Sequence, residues 1–427
     1  MRTRYGLFLL AILAGCRTAA PGGVRESDQI ATQAPLLSTG VSLDPEGRTV
    51  PVGQFPLAMI RAPGGRQVVL LLNGYQDQGI QVLDAATGAV LQTELQPAAF
   101  LGVAFSPDGK TLYASGGNED VVFRYMWREG RATLQDRLVL AVKVPDKSGT
   151  RYPGGLAPSP DGRFLYVAEN LADSLAVIDV ASGRVTQRLP AGRYPYGVVV
   201  AADGTVYVSA WGGDAVRAYR PDPAGGLMPA TTIPVARHPS AMLLNADGSR
   251  LFVTSGSTDR VSVVDTRRGR LITDLLDPAP VGPSEGSTPN ALALSTDGTR
   301  LFVAEADNNA VAVFDLSARS SGVPAAAGDD RLVGRIPAEA YPTAVLASGD
   351  TLLVVSGKGR GSKPNRDTGP RGPGKCRYTG PTGPAGGACQ QLGPGAHDAL
   401  VSAVRARHLH HQGEPDLRPG SRRFAPG

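Results

Sequence analysis

Long apolar stretches are nearly absent from this sequence, and the one run that approaches membrane grade lies at the extreme N-terminus. A polytopic membrane protein is therefore excluded, because each membrane-spanning helix needs about 20 consecutive apolar residues. Aromatic residues make up only 6% and charged residues only 19% of the 427 residues, whereas glycine and proline number 54 and 35. This composition is rich in turn formers, and it argues against a helical bundle or a coiled coil.

Cysteine and histidine are also scarce, and most of them lie at the C-terminal end. Residues 357–427 hold two of the three cysteines, four of the five histidines, and 12 Lys and Arg against 4 Asp and Glu. This tail has a net charge of +8 and the segment 1–16 has +2, so the remaining chain has −5. A mildly acidic body lacks the clustered Lys and Arg that bind nucleic acid, and no nucleic-acid partner is expected.

The N-terminal segment has the pattern of an export signal, with Arg2 and Arg4 before a short apolar run at 7–14. The run ends in Leu13-Ala14-Gly15-Cys16, which resembles the lipobox of bacterial lipoproteins. The resemblance implies that 1–15 is a signal peptide and that lipid on Cys16 anchors the protein to a membrane. We then expect it in the bacterial cell envelope, facing the periplasm or the surface. An ordinary signal peptide is the alternative, and 16–47 is predicted to be a flexible tether.

Internal repeats are the strongest feature of the chain. Pro153, Pro195, Pro239 and Pro289 each stand eight residues before an Asp-Gly pair. Three further copies keep the spacing with one element changed, beginning at Pro56, Phe100 and Pro342. Six steps lead from Pro56 to Pro342. Their mean period, about 48 residues, lies in the range of propeller repeats.

Each copy contains four short segments with strand patterns. An alternating segment leads to the Asp-Gly pair, which suits a tight hairpin because glycine accepts positive φ without steric cost. A second apolar strand follows, then a polar loop, a third strand such as Val261–Asp265, and a fourth strand that runs to the next proline. Four antiparallel strands in about 45 residues form one propeller blade. The fold class is therefore all-β, a seven-bladed β-propeller of four-stranded antiparallel blades over 48–356.

A second proline marks the fourth strands and predicts how the ring closes. Pro190, Pro234 and Pro337 each stand five residues before the next repeat, and Pro51 has the same spacing to Pro56. Residues 48–53 therefore look like a fourth strand with no blade before it. This N-terminal strand would complete the last blade and remove an exposed sheet edge. The best candidate for the missing third strand of that blade is 399–404.

The repeat resembles the YVTN-type β-propeller family. The third copy matches best, with Pro160-Asp161-Gly162, Leu165-Tyr166-Val167 and Ala176-Val177-Ile178-Asp179. The second and fourth copies end their third strand in Tyr125 and Tyr219 instead of Asp, and longer loops follow. That variation also occurs in propeller lactonases, so a lactonase-like subfamily stays open.

Candidate binding residues lie in the loops between second and third strands and in those between blades. Together they would ring one mouth of the central channel: Tyr152, Glu169, Asn170, Arg193, Tyr194, Trp211, Arg237, His238, Glu305 and Tyr341, with Asn290 beside them. Aromatic walls with charges of both signs suit a polar small molecule or a peptide. The alternative is structural. Residues before proline favour extended backbone and would cover blade edges, and Glu169 and Glu305 would cap loops or pair with Arg193 and Arg237.

No catalytic motif and no metal cluster is evident, since His238 is the only histidine in the propeller. No cofactor is expected, and a Ca²⁺ site from Glu169, Asn170 and Glu305 is the one alternative. In the tail, Cys376 and Cys389 form either a disulfide or two free thiols. We expect 357–427 to be mostly disordered and the protein to be a monomer.

The stretch Ser356-Gly-Lys-Gly-Arg-Gly-Ser-Lys-Pro-Asn365 resembles one in proteins that fuse this propeller to an alkaline-phosphatase-like phosphoesterase domain. The segment after it, 366–427, is too short for such a domain. The sequence therefore favours a lipid-anchored propeller that binds an envelope protein, a peptide or a polar small molecule. The propeller portion of a phosphoesterase and a lactonase-like hydrolase are the alternatives, because the fold alone does not decide among them.

Overall fold

The computed structural model of the protein describes residues 44–74, 77–223, 225–280, 286–316, 330–359 and 399–405, and within 399–405 it describes the backbone and the side chain of Ala403. Cys16, Cys376, Cys389, the tether before residue 44 and most of 357–427 lie outside the described residues. The described residues form seven sheets, each with four antiparallel strands. The predicted all-β propeller with four-stranded blades is confirmed.

The strands are numbered along the chain, and within blades one to six they run in order from the channel to the rim. A first strand, β1 (Arg48–Val52), precedes the blades. Blade one comprises β2 (Pro56–Arg61), β3 (Gln67–Asn73), β4 (Gln78–Asp84) and β5 (Val90–Leu95). Blade two comprises β6 (Val103–Phe105), β7 (Thr111–Ser115), β8 (Val121–Arg128) and β9 (Arg131–Val139). Blade three comprises β10 (Pro153–Pro158), β11 (Phe164–Glu169), β12 (Ser174–Asp179) and β13 (Arg184–Pro190).

The remaining strands continue the same arrangement. Blades four to six comprise β14 (Pro195–Val200), β15 (Val206–Ala210), β16 (Ala215–Pro221) and β17 (Leu227–Pro234); β18 (Pro239–Leu244), β19 (Arg250–Ser255), β20 (Arg260–Asp265) and β21 (Arg270–Leu276); and β22 (Pro289–Leu294), β23 (Arg300–Glu305), β24 (Ala310–Asp315) and β25 (Arg331–Pro337). Blade seven contains β26 (Pro342–Ser348), β27 (Thr351–Ser356) and β28 (Ala399–Arg405). Single-turn 3₁₀ helices follow three of the second strands, at Gly117–Glu119, Asn170–Ala172 and Trp211–Gly213.

Blade seven closes the ring with strands from both ends of the propeller. Its order is β26, β27, β28 and then β1, and β1 pairs antiparallel with β28 from Arg48 against Ala403 to Val52 against Ala399. Val52 is buried and packs in one cluster with Leu72 and Leu353. The predicted closure by an N-terminal strand is therefore confirmed, with β28 as the third strand.

The hydrophobic core is divided among the junctions between blades. Seven clusters of buried side chains occur, each built from the facing sheets of two neighbouring blades. The second and third strands are buried on both faces, so they read as nearly continuous apolar runs, as in the fully buried interior of β3 at Val68–Leu72. Each blade is therefore stabilised by its neighbours, and a gap in the ring would expose two apolar faces.

Blades two and four differ from the others because of tyrosine at the end of the third strand. Tyr125 and Tyr219 are each 1% exposed and lie in the clusters at the preceding junctions. Their fourth strands also receive a side-chain clamp from the blade before. Gln187 Nε2 donates to the carbonyl of Leu227 at 2.8 Å, and its Oε1 accepts from the N–H of Leu227 at 2.9 Å. Gln92 makes the same pair of bonds with Ala132.

Candidate functional site

One end of the ring carries the turns between second and third strands and the loops between blades, and this end is called the mouth. The residue before each inner strand has left-handed backbone in six blades: Phe55, Tyr152, Tyr194, His238, Thr288 and Tyr341, with φ of 43°, 53°, 51°, 57°, 53° and 63°. The expectation that residues before proline are extended here is therefore wrong. Bulky side chains rarely adopt this conformation, so neighbouring groups must hold it in place.

An acidic or amide side chain in the preceding blade holds the left-handed residue. Asp173 Oδ1 accepts from the N–H of Tyr194 at 2.9 Å, and Asn309 Oδ1 accepts from the N–H of Tyr341 at 2.9 Å. Asp120, Asp214 and Asp259 bind the corresponding N–H groups of Tyr152, His238 and Thr288. The sequence analysis did not identify these acidic and amide side chains. Each of them holds the left-handed mouth residue of the following blade.

An aromatic cluster stands at the mouth where blades four and five meet. The rings of Trp211 and His238 stack in parallel, with centroids 4.0 Å apart and planes 11° apart. Tyr194 also contacts Trp211, with ring centroids 6.4 Å apart and planes at 61°. His238 Nδ1 is hydrogen-bonded to the hydroxyl of Ser257, and Trp211 remains 38% exposed. The sequence had placed Tyr194, Trp211 and His238 at one mouth, and the structure brings them into contact.

Basic side chains border this cluster. The Arg193 guanidinium lies 5.1 Å from the centroid of the Tyr194 ring, and its hydrogen bond to Tyr194 raises the pKa of Arg193. Arg237 directly precedes His238 and is exposed. The cluster therefore combines an exposed indole with guanidinium and imidazole groups, which suits a polar ligand with a flat or ring-shaped part and an anionic group.

A second aromatic group lies at the mouth where blades seven and one meet. Tyr341 stacks on Phe55 with centroids 6.2 Å apart, and the Lys358 ammonium lies 3.8 Å from the centroid of the Tyr341 ring. Burial raises the pKa of Tyr341, and the charge of Asp307 adds to the shift. The sequence pointed to Tyr341 but not to Phe55 or Lys358.

A third aromatic group is formed by rings from three neighbouring blades. Phe100 meets Tyr152 edge to face at 5.2 Å and Tyr196 at 5.8 Å between centroids. Burial raises the pKa of Tyr196 to about 12, and the charge of Tyr341 contributes to the shift. Neither Phe100 nor Tyr196 was predicted, although Phe100 occupies the proline position of its repeat and Tyr196 follows Pro195. Blades two, three and four thus contribute one phenyl and two phenol rings to this group.

Glu169 and Glu305 were expected to face a ligand, but both residues are 0% exposed. Neither glutamate forms the expected ion pair with Arg193 or Arg237. Arg188 Nε donates to both carboxylate oxygens of Glu169 at 2.9 and 3.0 Å, and its Nη2 donates to the carbonyl of Leu140 in the preceding blade. Arg335 binds Glu305 in the same way. A buried carboxylate needs such a partner, so these pairs act as links between blades.

The junction between blades five and six contains an additional buried acid. Asp277 is 0% exposed, and its N–H donates to the carbonyl of Asp259. At four other junctions, the residue whose N–H makes the corresponding hydrogen bond is apolar: Leu140, Ala191, Val235 and Ala338. Burial and, after it, the neighbouring Glu305 carboxylate raise the pKa of Asp277 to about 9. Arg335 lies 3.6 Å from Asp277, so one guanidinium serves two carboxyl groups.

The Ca²⁺ alternative does not fit the side chains that were named for it. Glu169 and Glu305 belong to blades three and six, each bound by its own arginine, and the Asn170 side chain donates to the carbonyl of Pro195 at 3.0 Å. Asn290 likewise donates to the carbonyl of Pro342 at 3.0 Å. Within the described part of the chain, no three or more His, Cys, Asp or Glu side chains are grouped to hold a metal ion.

Comparison with known proteins finds a family model that matches part of the chain. Residues 143–257 match the SMP-30/gluconolactonase/LRE-like region. The chain is also 32% identical over 145 residues to the seven-bladed beta-propeller protein Rv1057 of Mycobacterium tuberculosis. That match covers 32% of this chain and about a third of the relative, 35% of its length.

Solved structures of low sequence identity show the same fold. The periplasmic gluconolactonase of Pseudomonas aeruginosa superposes with a TM-score of 0.53 at 20% identity, over 68% of this chain and 86% of that one. A catalytically inactive virginiamycin B lyase from Staphylococcus aureus, solved with Quinupristin, superposes with a TM-score of 0.54 at 15% identity, over 73% and 96%. The chain is therefore similar to enzymes and to a propeller named only for its fold, and the fold does not choose among them.

Proposed function

We propose that this propeller binds a polar small molecule at the mouth where blades four and five meet. The observation that carries the proposal is the exposed Trp211, which stacks on His238 and stands beside Tyr194. An exposed indole held rigid by its neighbours offers contact area at low entropic cost. Five of the mouth residues are positioned by hydrogen bonds to the preceding blade, so the surface is preorganised.

The chemistry of the cluster favours a ring-containing anion such as a sugar acid. Arg193 and Arg237 supply guanidinium groups, which recognise a carboxylate through paired hydrogen bonds. The carboxylate of Asp173 already accepts the Tyr194 N–H, so it is engaged in holding the backbone. Glu169 is buried with Arg188, so its carboxylate is not exposed to a ligand at the mouth. A neutral sugar would lose the charge-assisted contacts and bind more weakly.

Tryptophan fluorescence tests the proposal directly, because the chain has two tryptophans and Trp127 is only 8% exposed. Sugar acids, sugar lactones, neutral sugars and short peptides are titrated against the full chain. We expect an acidic ligand to change the emission, and the change to disappear in Trp211→Phe, which retains Trp127 as a reference. Arg193→Ala should weaken binding about tenfold, in line with the loss of one charge-assisted hydrogen bond. Arg184→Ala, at the exposed first residue of β13 at the opposite end of blade three, is the matched control. Saturable binding that survives in Trp211→Phe would show that the ligand binds at a different site.

A lactonase-like hydrolase is the second candidate function. The match to the gluconolactonase-type region spans 143–257 and so includes Tyr152, Tyr194, Trp211 and His238. The similarity to the Pseudomonas gluconolactonase supports the fold of such an enzyme. Measuring acid release from sugar lactones at constant pH separates the two candidates, because a binding module gives saturation without turnover.

The phosphoesterase alternative and the YVTN resemblance remain proposals. The stretch that carries the phosphoesterase resemblance lies mostly in 360–398, outside the described residues. A chromogenic phosphate ester with Zn²⁺, Mg²⁺ or Mn²⁺ tests it, and we expect no turnover.

We also propose that lipid on Cys16 anchors the protein in the bacterial envelope. The support is the lipobox-like Leu13-Ala14-Gly15-Cys16. No helix among the described residues is long and apolar enough to span a membrane. Cys16→Ser should move the protein from the detergent phase to the aqueous phase in phase partitioning. Equal partitioning of both forms would contradict the anchor.

A further inference from the structure

Four of the turns at the mouth share a pair of backbone hydrogen bonds. The first two residues after the second strand donate their N–H groups to carbonyls of the loop that enters the same blade. In blade four Trp211 donates to Tyr194 at 3.1 Å, and Gly212 donates to Arg193 at 2.9 Å. Blades three, six and seven contain both bonds as well, made by Asn170 and Leu171, by Ala306 and Asp307, and by Gly357 and Lys358.

Blade five departs from this pattern. The equivalent N–H groups are those of Gly256 and Ser257, and no described group accepts a hydrogen bond from either of them. Ser257 is exposed at the mouth, and its hydroxyl is hydrogen-bonded to His238 Nδ1. The turn after β19 therefore combines two free N–H donors and a hydroxyl, and the imidazole of His238, from the loop before β18, is hydrogen-bonded to that hydroxyl.

We propose that Ser257 is a nucleophile for ester or lactone carbonyls, with His238 as its base and the N–H groups of Gly256 and Ser257 as oxyanion donors. The proposal rests on the proposed ligand site, whose Trp211 forms the adjoining wall. It requires neither a metal ion nor the buried Glu169 and Glu305. An activated hydroxyl next to a positioned base and free N–H donors is the arrangement that acyl transfer needs.

The reaction balances with water as the only co-reactant. The Ser257 Oγ forms a bond to the carbonyl carbon while its proton passes to His238 Nδ1. The tetrahedral oxyanion accepts hydrogen bonds from the two free N–H groups. The C–O bond of the ester or ring then breaks, and the leaving alkoxide takes the proton from His238. Water hydrolyses the acyl-serine in the same way, with its proton first passing to His238, and releases the acid.

The surroundings of His238 fix the ring for this role. Its backbone is left-handed at φ 57°, its N–H lies 3.3 Å from Asp214 Oδ1, and its ring is stacked on Trp211. For Nδ1 to accept the serine proton, the ring must be in the tautomer with hydrogen on Nε2. No carboxylate of the described residues is hydrogen-bonded to the His238 ring, so the base lacks the third member of a triad. We expect slow turnover and an acyl-serine that accumulates.

Mass spectrometry of the intact full chain tests the proposal with p-nitrophenyl acetate and a fluorophosphonate probe. We expect one adduct in each case, mapped to Ser257 by peptide analysis, and a burst of p-nitrophenolate equal to the enzyme concentration. Ser257→Ala should abolish the adduct, and His238→Phe should slow its formation about 100-fold or more. Ser182→Ala, an exposed serine at the opposite end of blade three, is the matched control and should react like the parent.

The outcomes separate this inference from the proposed function. An adduct on other residues only, or one that forms equally in Ser257→Ala, overturns the nucleophile. If Trp211 emission still responds to a sugar acid in that case, the ligand site remains. If Ser257 is labelled but no ligand changes the emission, the small-molecule proposal fails while the nucleophile stands. Thermal melts of each variant confirm folding, which is expected because Ser257 is exposed.

Discussion

Asp120 Oδ1 accepts a hydrogen bond of 2.8 Å from the N–H of Tyr152, across the junction between blades two and three. The same carboxylate also accepts from the N–H groups of Thr150 and Arg151, at 2.6 and 2.8 Å. One buried side chain thus satisfies three consecutive N–H groups and holds a left-handed tyrosine at the mouth. A local turn in one blade therefore sets the backbone of the next.

Replacing Asp120 with alanine should destabilise the protein strongly. The variant loses three charge-assisted bonds and leaves N–H groups without an acceptor, which costs about 2–4 kcal/mol of unfolding free energy. Guanidinium denaturation measures the change. Asp173→Ala is the comparison, since Asp173 is exposed and, among the described residues, its side chain accepts one hydrogen bond, from the N–H of Tyr194; a smaller loss is expected. Equal losses in the two variants would contradict the role assigned to Asp120.

The buried Asp277 should make stability fall with rising pH. Burial holds its pKa at about 9 in the folded protein, against an ordinary value of 3.8. Between these values the native state keeps a proton that the unfolded chain releases, so the unfolding free energy falls as pH rises, by at most about 1.4 kcal/mol per pH unit. Asp277→Asn removes this titration and should flatten the melting temperature between pH 5 and pH 8.5.

Asp297→Asn is the control for the pH experiment. Hydrogen bonds from Ser295 and Thr299 lower the pKa of Asp297 on its turn. Its contribution to stability is lost only as pH falls through that lowered pKa, so its removal should not alter the slope between pH 5 and pH 8.5. A wild-type slope that Asp277→Asn leaves unchanged would mean that Asp277 does not hold the proton.

Removing β1 should open the ring. A chain that begins at residue 54 lacks the strand that pairs with β28 from Arg48 to Val52, and it loses the buried Val52. The exposed edge of β28 then invites pairing between molecules. Size-exclusion chromatography should show aggregation, and the melting temperature should fall by several degrees. A chain that begins at residue 44 keeps β1 and should remain like the parent; monomeric, equally stable protein without β1 would contradict the closure.

The glutamine clamps should stabilise two junctions independently. Gln187→Leu leaves the N–H of Leu227 without its acceptor at a position that is 1% exposed. We expect a loss of about 1–3 kcal/mol. Gln92→Leu should act alike through Ala132. Because the clamps lie at different junctions and share no partner, their effects should add within about 0.5 kcal/mol in the double variant. A large coupling energy would show that the junctions communicate.

The sequence by itself determined the fold, because the features that mark each repeat are formed by residues close together in the chain. The proline-to-glycine spacing marks where each inner strand begins and turns, and Gly162 indeed has φ of 72° at its Asp-Gly turn. The second proline identified β1 as a displaced fourth strand, since Pro51 has the spacing of Pro190 to the next repeat. These signals depend on neighbouring residues, so they survive without tertiary information.

Only the tertiary structure decided which of the predicted mouth residues meet. Glu169 and Glu305 are typical ligand-binding types in suitable loops, yet each finds an arginine on the fourth strand of its own blade, Arg188 and Arg335. The stacking of Trp211 on His238 depends on how blade four is rotated against blade five. That rotation is set by the packing of side chains at the junctions between blades. These side chains come from different repeats, so no local sequence pattern relates them.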